Sequence, residues 1–426
     1  MRNQRKSDTR AGGCRACVLM GGTLLLGIMP MVGAADIVTD WSAIATTAVV
    51  TQGPPTTAVD FAIVHAAMYD AINAIDRRYE TYKIDPVATT RGASPEAAVA
   101  AAAHRALVGL FPAQMTSLDA AYAASLATLP DGIAKARGIA VGEEVATGML
   151  ELRSNDGRKA VVPYVFGSGP GVYQQTPPPY PPTGPVSTFL PGVTPMVLLT
   201  PWQFRAYGPP GLTSARYTRD LEEVRTFGSS TSTERTDAQT ESARFHTENP
   251  NQFWGRNLGT FVASLNLGTL RSARLLTLLT FAEADAGIAC FDSKYAYNFW
   301  RPVTAIHQAD TDDNPASEAD ASWATIVPTP PHPEYPAAHG CVTGAVTQVL
   351  RDYFGTRRIR LTFTSTVTGT THTFRSTDEL VDEVINARVY GGMHFRNSVE
   401  HGIALGRKVG KYVADNALEA RGQHHH

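Results

Sequence analysis

Cysteine is scarce, with four residues in 426, which rules out a small scaffold stapled by disulfides. Two of the four, Cys14 and Cys17, precede an N-terminal apolar run, so their CxxC spacing belongs to a leader rather than to a working site. Charge is also sparse: charged residues make up 18% of the chain and the formal net charge is −2. With no basic surplus, the composition argues against a nucleic-acid partner. What is abundant is apolar: 43% of residues are hydrophobic, enough for a sizeable core in one large domain or two intimately packed ones.

Residues 1–34 read as a bacterial-type secretory signal. Arg2, Arg5, Lys6 and Arg10 precede an apolar stretch over 18–32, followed by Gly33, Ala34 and Ala35. A membrane anchor needs about 20 apolar residues, and this run is shorter and interrupted by Gly21, Gly22 and Pro30. Cleavage after Ala34 is therefore expected, leaving no stable membrane span and a periplasmic or secreted protein. The remainder holds 32 basic and 38 acidic residues, a net charge near −6. Only Cys290 and Cys341 survive cleavage; an oxidising compartment allows one disulfide between them, and two free buried thiols are the alternative. His424, His425 and His426 belong to a tail, 421–426, that is set aside.

Between leader and tail the periodicity predicts a mainly α protein. Residues 35–162 form an N-terminal helical region, with apolar residues on more than one face over 59–76 and Ala-rich helices at 95–110, 115–127 and 133–153, punctuated by Pro112 and Pro130. His65 and His104, alone on these helices, read as hydrogen-bonded core histidines. Residues 163–214 form a Pro-rich connection, 13 of the 28 prolines lying within 163–210. No helix survives that density, but Phe189, Leu190, Val197, Leu198, Leu199 and Trp202 give it something to bury, so an ordered wrap is expected. Residues 215–420 resume helices at 217–226, 235–247, 253–265 and 269–285, with one β-hairpin at 359–374 around Gly369. Asp310, Asp312 and Asn314 mimic a calcium loop, but Pro315 and Ala321 stand where Gly and Glu are required, leaving a solvated acidic loop.

Three segments carry chemistry. In DSKYAYNFWRP, Lys294 and Arg301 are seven residues apart, two turns on one helix face, with Pro302 ending or kinking the helix; two such cations repel unless they share an anion. In HPEYPAAHGCVTGAVTQVL, Pro336 sits like a first helical residue, which puts His339 in a first turn where free N–H groups and the helix dipole favour an anion and a neutral imidazole. In NARVYGGMHFRNSVEHG, Gly391 and Gly392 break the helix between Arg388 and His394, letting both turn to one point.

Taken in order, K-x6-R-P, P-x-x-H and R-x5-H closely resemble the superfamily shared by type 2 phosphatidic acid phosphatases, bacterial acid phosphatases and vanadium-dependent haloperoxidases. The resemblance implies a helical bundle around an oxyanion pocket holding vanadate, a site that phosphate also fits. It implies that Lys294, Arg301, Gly340 and Arg388 bind the oxyanion, that His394 is the covalent partner of vanadium or phosphorus, and that His339 is the acid/base. Lys294 would also polarise bound peroxide. There are departures: Ala337 and Ala338 stand where serine and glycine are usual, Ala387 where serine is common, and Ser398 where an Asp usually supports the histidine.

The motifs admit hydrogen peroxide and halide as substrates, or a phosphate ester handled through a phosphohistidine. Chain length and His332, seven residues before His339 where bromoperoxidases of this group carry a second histidine, favour a peroxidase for bromide or iodide over chloride. His332 and Phe291 are the candidate halide-site residues, an ordinary loop histidine being the alternative for the first. Asp285 and Asp292 flank the first motif and either orient its cations or cap helices. A catalytically silent anion-binding bundle is the reading from another class, and a homo-oligomer is left open.

Overall fold

Apolar residues all round a helix need neighbours on every side, and residues 59–74 obtain them. In the computed structural model, which describes residues 36–52, 58–177 and 184–422, thirteen α-helices are present among the described residues. They are α1 (Ile37–Gln52), α2 (Ala58–Asp76), α3 (Pro95–Leu110), α4 (Met115–Ala127), α5 (Ile133–Leu152), α6 (Ala215–Gly228), α7 (Asp237–Phe245), α8 (Pro250–Ser264), α9 (Thr269–Tyr297), α10 (Pro302–His307), α11 (Ala338–Phe354), α12 (Thr377–Tyr390) and α13 (Arg396–Asn416). A single antiparallel hairpin joins β1 (Leu361–Thr364) to β2 (Thr371–Phe374), with Leu361 opposite Phe374. The leader with Cys14 and Cys17, and the three terminal histidines, lie outside the described residues.

Every residue of α2 from Val59 to Ala74 is buried, with α3, α5 and α9 packed around it. The alanines of α3 serve close approach. A Cβ on Gly138 or Gly142 of α5 would fall 2.4 or 2.3 Å from the carbonyl oxygens of Ser94 and Ala98. Side-chain caps set several starts: Ser94 for α3, Ser214 for α6, Ser376 for α12, and Thr236 with Gln239 as a capping box for α7. His65 is a core histidine as expected, bonded to the Phe61 carbonyl at 2.9 Å and Ser42 Oγ at 3.1 Å. His104 lies at the rim, against Asp119 at 2.7 Å.

The described part of 163–214 is an ordered wrap with one short helical turn at 190–192. Phe189, Leu190 and Leu198 are buried, whereas Leu199 and Trp202 are exposed, contrary to expectation. The carboxylates expected to orient cations or cap helices do neither. Asp285 accepts the backbone N–H groups of Met196, Val197 and Leu198 at 2.6, 2.8 and 2.8 Å, and Asp292 takes two bonds from Arg205, each 2.7 Å. Both pin the connection to α9, because a Pro-rich strand lacking sheet partners must find acceptors for its remaining donors elsewhere. Asp312 accepts from Asn314 and Ser317 in a local turn.

Candidate active site

Lys294 ends the buried face of α9, whose chain leaves the helix at Asn298 in the left-handed conformation, φ 47°. The single helix expected to carry both Lys294 and Arg301 therefore stops between them. Arg301 is the N-cap of α10, and Pro302 opens that helix rather than ending the previous one. Both cations are fully buried and still converge, because the loop between α10 and α11 supplies acceptors to each. Lys294 Nζ donates to the carbonyls of Pro333 and Glu334 at 2.8 and 2.9 Å. Arg301 donates to the carbonyls of His332 and Met393, both at 2.9 Å, and lies 3.2 Å from His394 Nε2 and 3.1 Å from His332 Nδ1.

The second segment enters its helix later than expected: α11 begins at Ala338, with Ala337 as an N-cap that has no side chain to offer. His339 is still in the first turn. With Cys341 the first residue to donate to Ala337, the N–H groups of Ala338, His339 and Gly340 have no acceptor within the helix. Gly340 also serves packing, since a Cβ there would sit 2.5 Å from the Val399 carbonyl of α13. His339 keeps some exposure and lines a cleft of about 10 Å³, room for one water-sized guest, with His246, Glu248, Phe253 and Trp254. Burial first and Arg388 second hold His339 well below the ordinary histidine pKa, as a neutral base.

The third segment behaves as expected. α12 ends at Tyr390, Gly392 takes φ 76°, and the chain reverses so that Arg388 and His394 are both buried beside Arg301. Arg388 donates to the His246 carbonyl at 2.9 Å, and its Nε is buried with no partner. Burial and Arg301 pull its pKa down. For His394 burial, then Arg301, Lys294 and Arg388, push the pKa well below normal.

One functional residue was missed in the sequence. Glu334, fully buried, places Oε1 2.8 Å from His394 Nδ1 and accepts the Phe395 N–H at 3.0 Å. It supplies the carboxylate absent at position 398, while Ser398 Oγ only donates to the Glu334 carbonyl at 3.4 Å. The signal was a lone acid between His332 and His339. With Nδ1–H directed at a carboxylate, the network assigns the lone pair of the neutral ring to Nε2, on the Arg301 side. Burial pushes the Glu334 carboxyl up to about 7 against the pull of Arg301 and Lys294.

At the edge, the Phe291 ring lies 5.1 Å from that of His332 and 6.0 Å from Lys294 Nζ. Cys290 and Cys341 are both buried free thiols, so no covalent clamp joins the segments; Cys290 donates to the Pro336 carbonyl at 3.5 Å.

A family model described as the second helical-bundle domain of VCPO matches residues 274–422, a span that contains all three segments. Over 95 residues the chain is 35% identical to vanadium chloroperoxidase of Curvularia inaequalis, a match covering 20% of this chain and 15% of that protein. The structure of the first bacterial vanadium-dependent iodoperoxidase superposes with a TM-score of 0.77 and 25% identity, covering 92% of this chain and 99% of that one. Residues 274–422 thus carry a vanadium haloperoxidase domain, and nearly the whole chain shares the fold of these enzymes. A holo-type bacterial vanadium-dependent chloroperoxidase shares the fold at TM-score 0.67 and 17% identity, covering 89% of this chain and 92% of that one.

The likeness to vanadium haloperoxidases points to vanadate, and the residues fit it. Neither Lys294 nor Arg388 forms an ion pair with a carboxylate among the described residues, and the buried Arg388 Nε lacks an acceptor. Two buried cations so placed call for an anion. The lone pair of His394 Nε2 faces the same cations, as a ligand to the metal must.

Proposed function

We propose that the chain is a vanadate-dependent peroxidase that oxidises iodide or bromide with hydrogen peroxide, outside the cytoplasm if the N-terminal leader acts as it reads. One observation carries the reading: His394 is tethered at Nδ1 by Glu334 and directs Nε2 towards Arg301. Lys294, Arg301 and Arg388 would hold the oxygens of vanadate by charge-assisted bonds, with His394 as its protein ligand. When bound, vanadate supplies the Lewis acidity that activates peroxide for attack by halide.

The chain's own groups do the rest. His339, neutral and partly exposed beside the cleft, accepts a proton from arriving peroxide and returns one to the departing oxygen. The balance is peroxide, halide and a proton giving hypohalous acid and water, so a group cycling its proton is required. Lys294, fixed by two carbonyls, keeps its charge against the oxygens. His332 and Phe291 form the side of the site where a soft halide would approach. The likeness to an iodoperoxidase supports iodide, and His332 beside Phe291 is the feature that favours bromide or iodide over chloride.

The test is one series on purified protein loaded with vanadate. Peroxide-dependent oxidation of iodide and bromination of phenol red are expected, both absent without vanadate. Hydrolysis of a chromogenic phosphate ester without any halide oxidation would replace the reading with a phosphatase. Neither activity would leave a silent anion-binding bundle.

A further inference from the structure

His246 lies outside all three motifs, in the turn between α7 and α8, yet it borders both halves of the site. Its carbonyl accepts from Arg388 Nη1 at 2.9 Å, and His246 lines the same cleft as His339. A residue that holds an oxyanion arginine and borders the acid/base histidine fixes their relative position. A backbone carbonyl does this only if its own residue is held, and the side chain of His246 shows how it is. Its Nε2 bonds Glu383 Oε1 of α12 at 2.9 Å. The same oxygen receives His372 Nδ1 of β2 at 2.8 Å, and His372 Nε2 reaches Glu241 Oε2 of α7 at 2.9 Å. The His372 ring stacks on Phe245 at 3.8 Å between ring centres with planes 10° apart, which braces the residue next to His246 as well.

We infer that His246 is a positioning residue for the oxyanion site, and that the β-hairpin helps to lock it through Glu383, His372 and Glu241. The inference rests on the peroxidase reading only for its catalytic consequence; the placement of His339 and Arg388 applies to any oxyanion. The hairpin has no larger sheet to join among the described residues; it buries Leu361, Phe363 and Phe374, sets Phe363 against Phe253 and Trp254 of α8, and so braces the turn it touches. Its other bonds go to the same place. The Thr366 N–H donates to Glu248, whose carboxylate is paired with Arg256, and Thr364 exchanges bonds with Asn257. Charge supports the lock: the two histidines draw the Glu383 carboxyl down to about 2 despite its burial, so it stays ionised.

The experiment compares His246→Gln, which keeps a donor near Nε2, with His246→Leu and Glu383→Leu, which remove one end of the bond. Inorganic phosphate binding to vanadate-free protein is measured by calorimetry, the His339 ring by nitrogen-15 NMR, and kcat and KM on the vanadate-loaded enzyme. Both Leu variants are expected to lose about 10- to 100-fold in phosphate affinity and kcat, the range for removing a group that orients a ligand-binding residue. KM for halide should stay within about threefold, the His339 resonance should shift, and His246→Gln should restore most of each loss. Unchanged phosphate affinity and an unmoved His339 signal in the Leu variants overturn the inference. So does equal loss in the Gln and Leu variants. Should His246→Leu not fold, Glu383→Leu decides by the same readouts. If wild-type protein shows no halide oxidation, the peroxidase reading falls while the phosphate and NMR arms still decide the role of His246.

Discussion

Glu334 Oε1 meets His394 Nδ1 at 2.8 Å across sixty residues of chain, with both groups buried. The contact does for His394 what a carboxylate four residues downstream would do, since a histidine that must offer one nitrogen needs the other committed. Glu334→Gln keeps the shape and removes the charge. Vanadate affinity, measured by titrating activity or by vanadium NMR, should fall about 10- to 100-fold. Ser398→Asp alone should destabilise, because it sets a second carboxylate beside Glu334 in a buried site. Combined with Glu334→Gln, it should recover part of the lost affinity. If Glu334→Gln binds vanadate as wild type does, the carboxylate has no part in preparing His394.

The packing of α11 on α13 depends on glycines that face each other's backbones. A Cβ on Gly406 would fall 2.0 Å from the Cys341 carbonyl, one on Gly344 2.4 Å from that of Ile403, and one on Gly410 2.3 Å from that of Ala345. Backbone cannot swing aside as a side chain does. Gly406→Ala should therefore cost about 1–3 kcal/mol or more in denaturant unfolding. It should also lower vanadate affinity, since α11 carries His339 and the turn before α13 carries His394. Wild-type stability in this variant would mean that the helices are looser than their geometry indicates.

The helices were legible wherever proline and glycine punctuated an apolar period, and so α2 to α5 and the hairpin fall where the pattern placed them. α1 went unread because Val38, Thr39, Thr46, Thr47, Val49 and Val50 give it a β-branched character that only tertiary burial overrides. The break between Lys294 and Arg301 was hidden for another reason: it turns on Asn298 in a left-handed conformation, with no glycine to announce it. Site residues bearing motif spacing were visible. Glu334 and His246 act through contacts of 60 and 142 residues' separation, which local pattern does not encode.

His65 should mark the acid limb of stability. Burial holds its pKa down at about 4 against the pull of the Phe61 carbonyl, so the unfolded chain binds this proton more readily than the folded one. Stability should then rise with pH from about 4 to 6.5, and the loss on acidification should reach on the order of 3 kcal/mol for this group. His65→Asn keeps a donor towards Phe61 and does not titrate. It should be less stable at pH 7 yet show a flatter decline between pH 6 and 4.5. An unchanged slope would assign the acid limb to other groups.

Lys294 should set the alkaline limit of anion binding. Burial, the largest cause, and the charge of Arg301 bring its pKa down to about 8, while Cys290 and Glu334 pull the other way. An arriving oxyanion restores a countercharge and raises that pKa, so above about 8 binding must take up a proton. Phosphate affinity of the vanadate-free protein should therefore level off below pH 8 and fall above it by up to about tenfold per unit. The unliganded fold responds in the opposite sense. A lysine whose folded pKa is depressed costs stability while charged, and that cost should disappear as pH rises from about 8 to 10.5. Calorimetry of phosphate binding and thermal unfolding across this window should thus move in opposite directions, and Lys294→Gln should flatten both. Affinity that holds constant to pH 10 would show that Lys294 keeps its proton without the anion, and that its two carbonyl acceptors alone stabilise the charge.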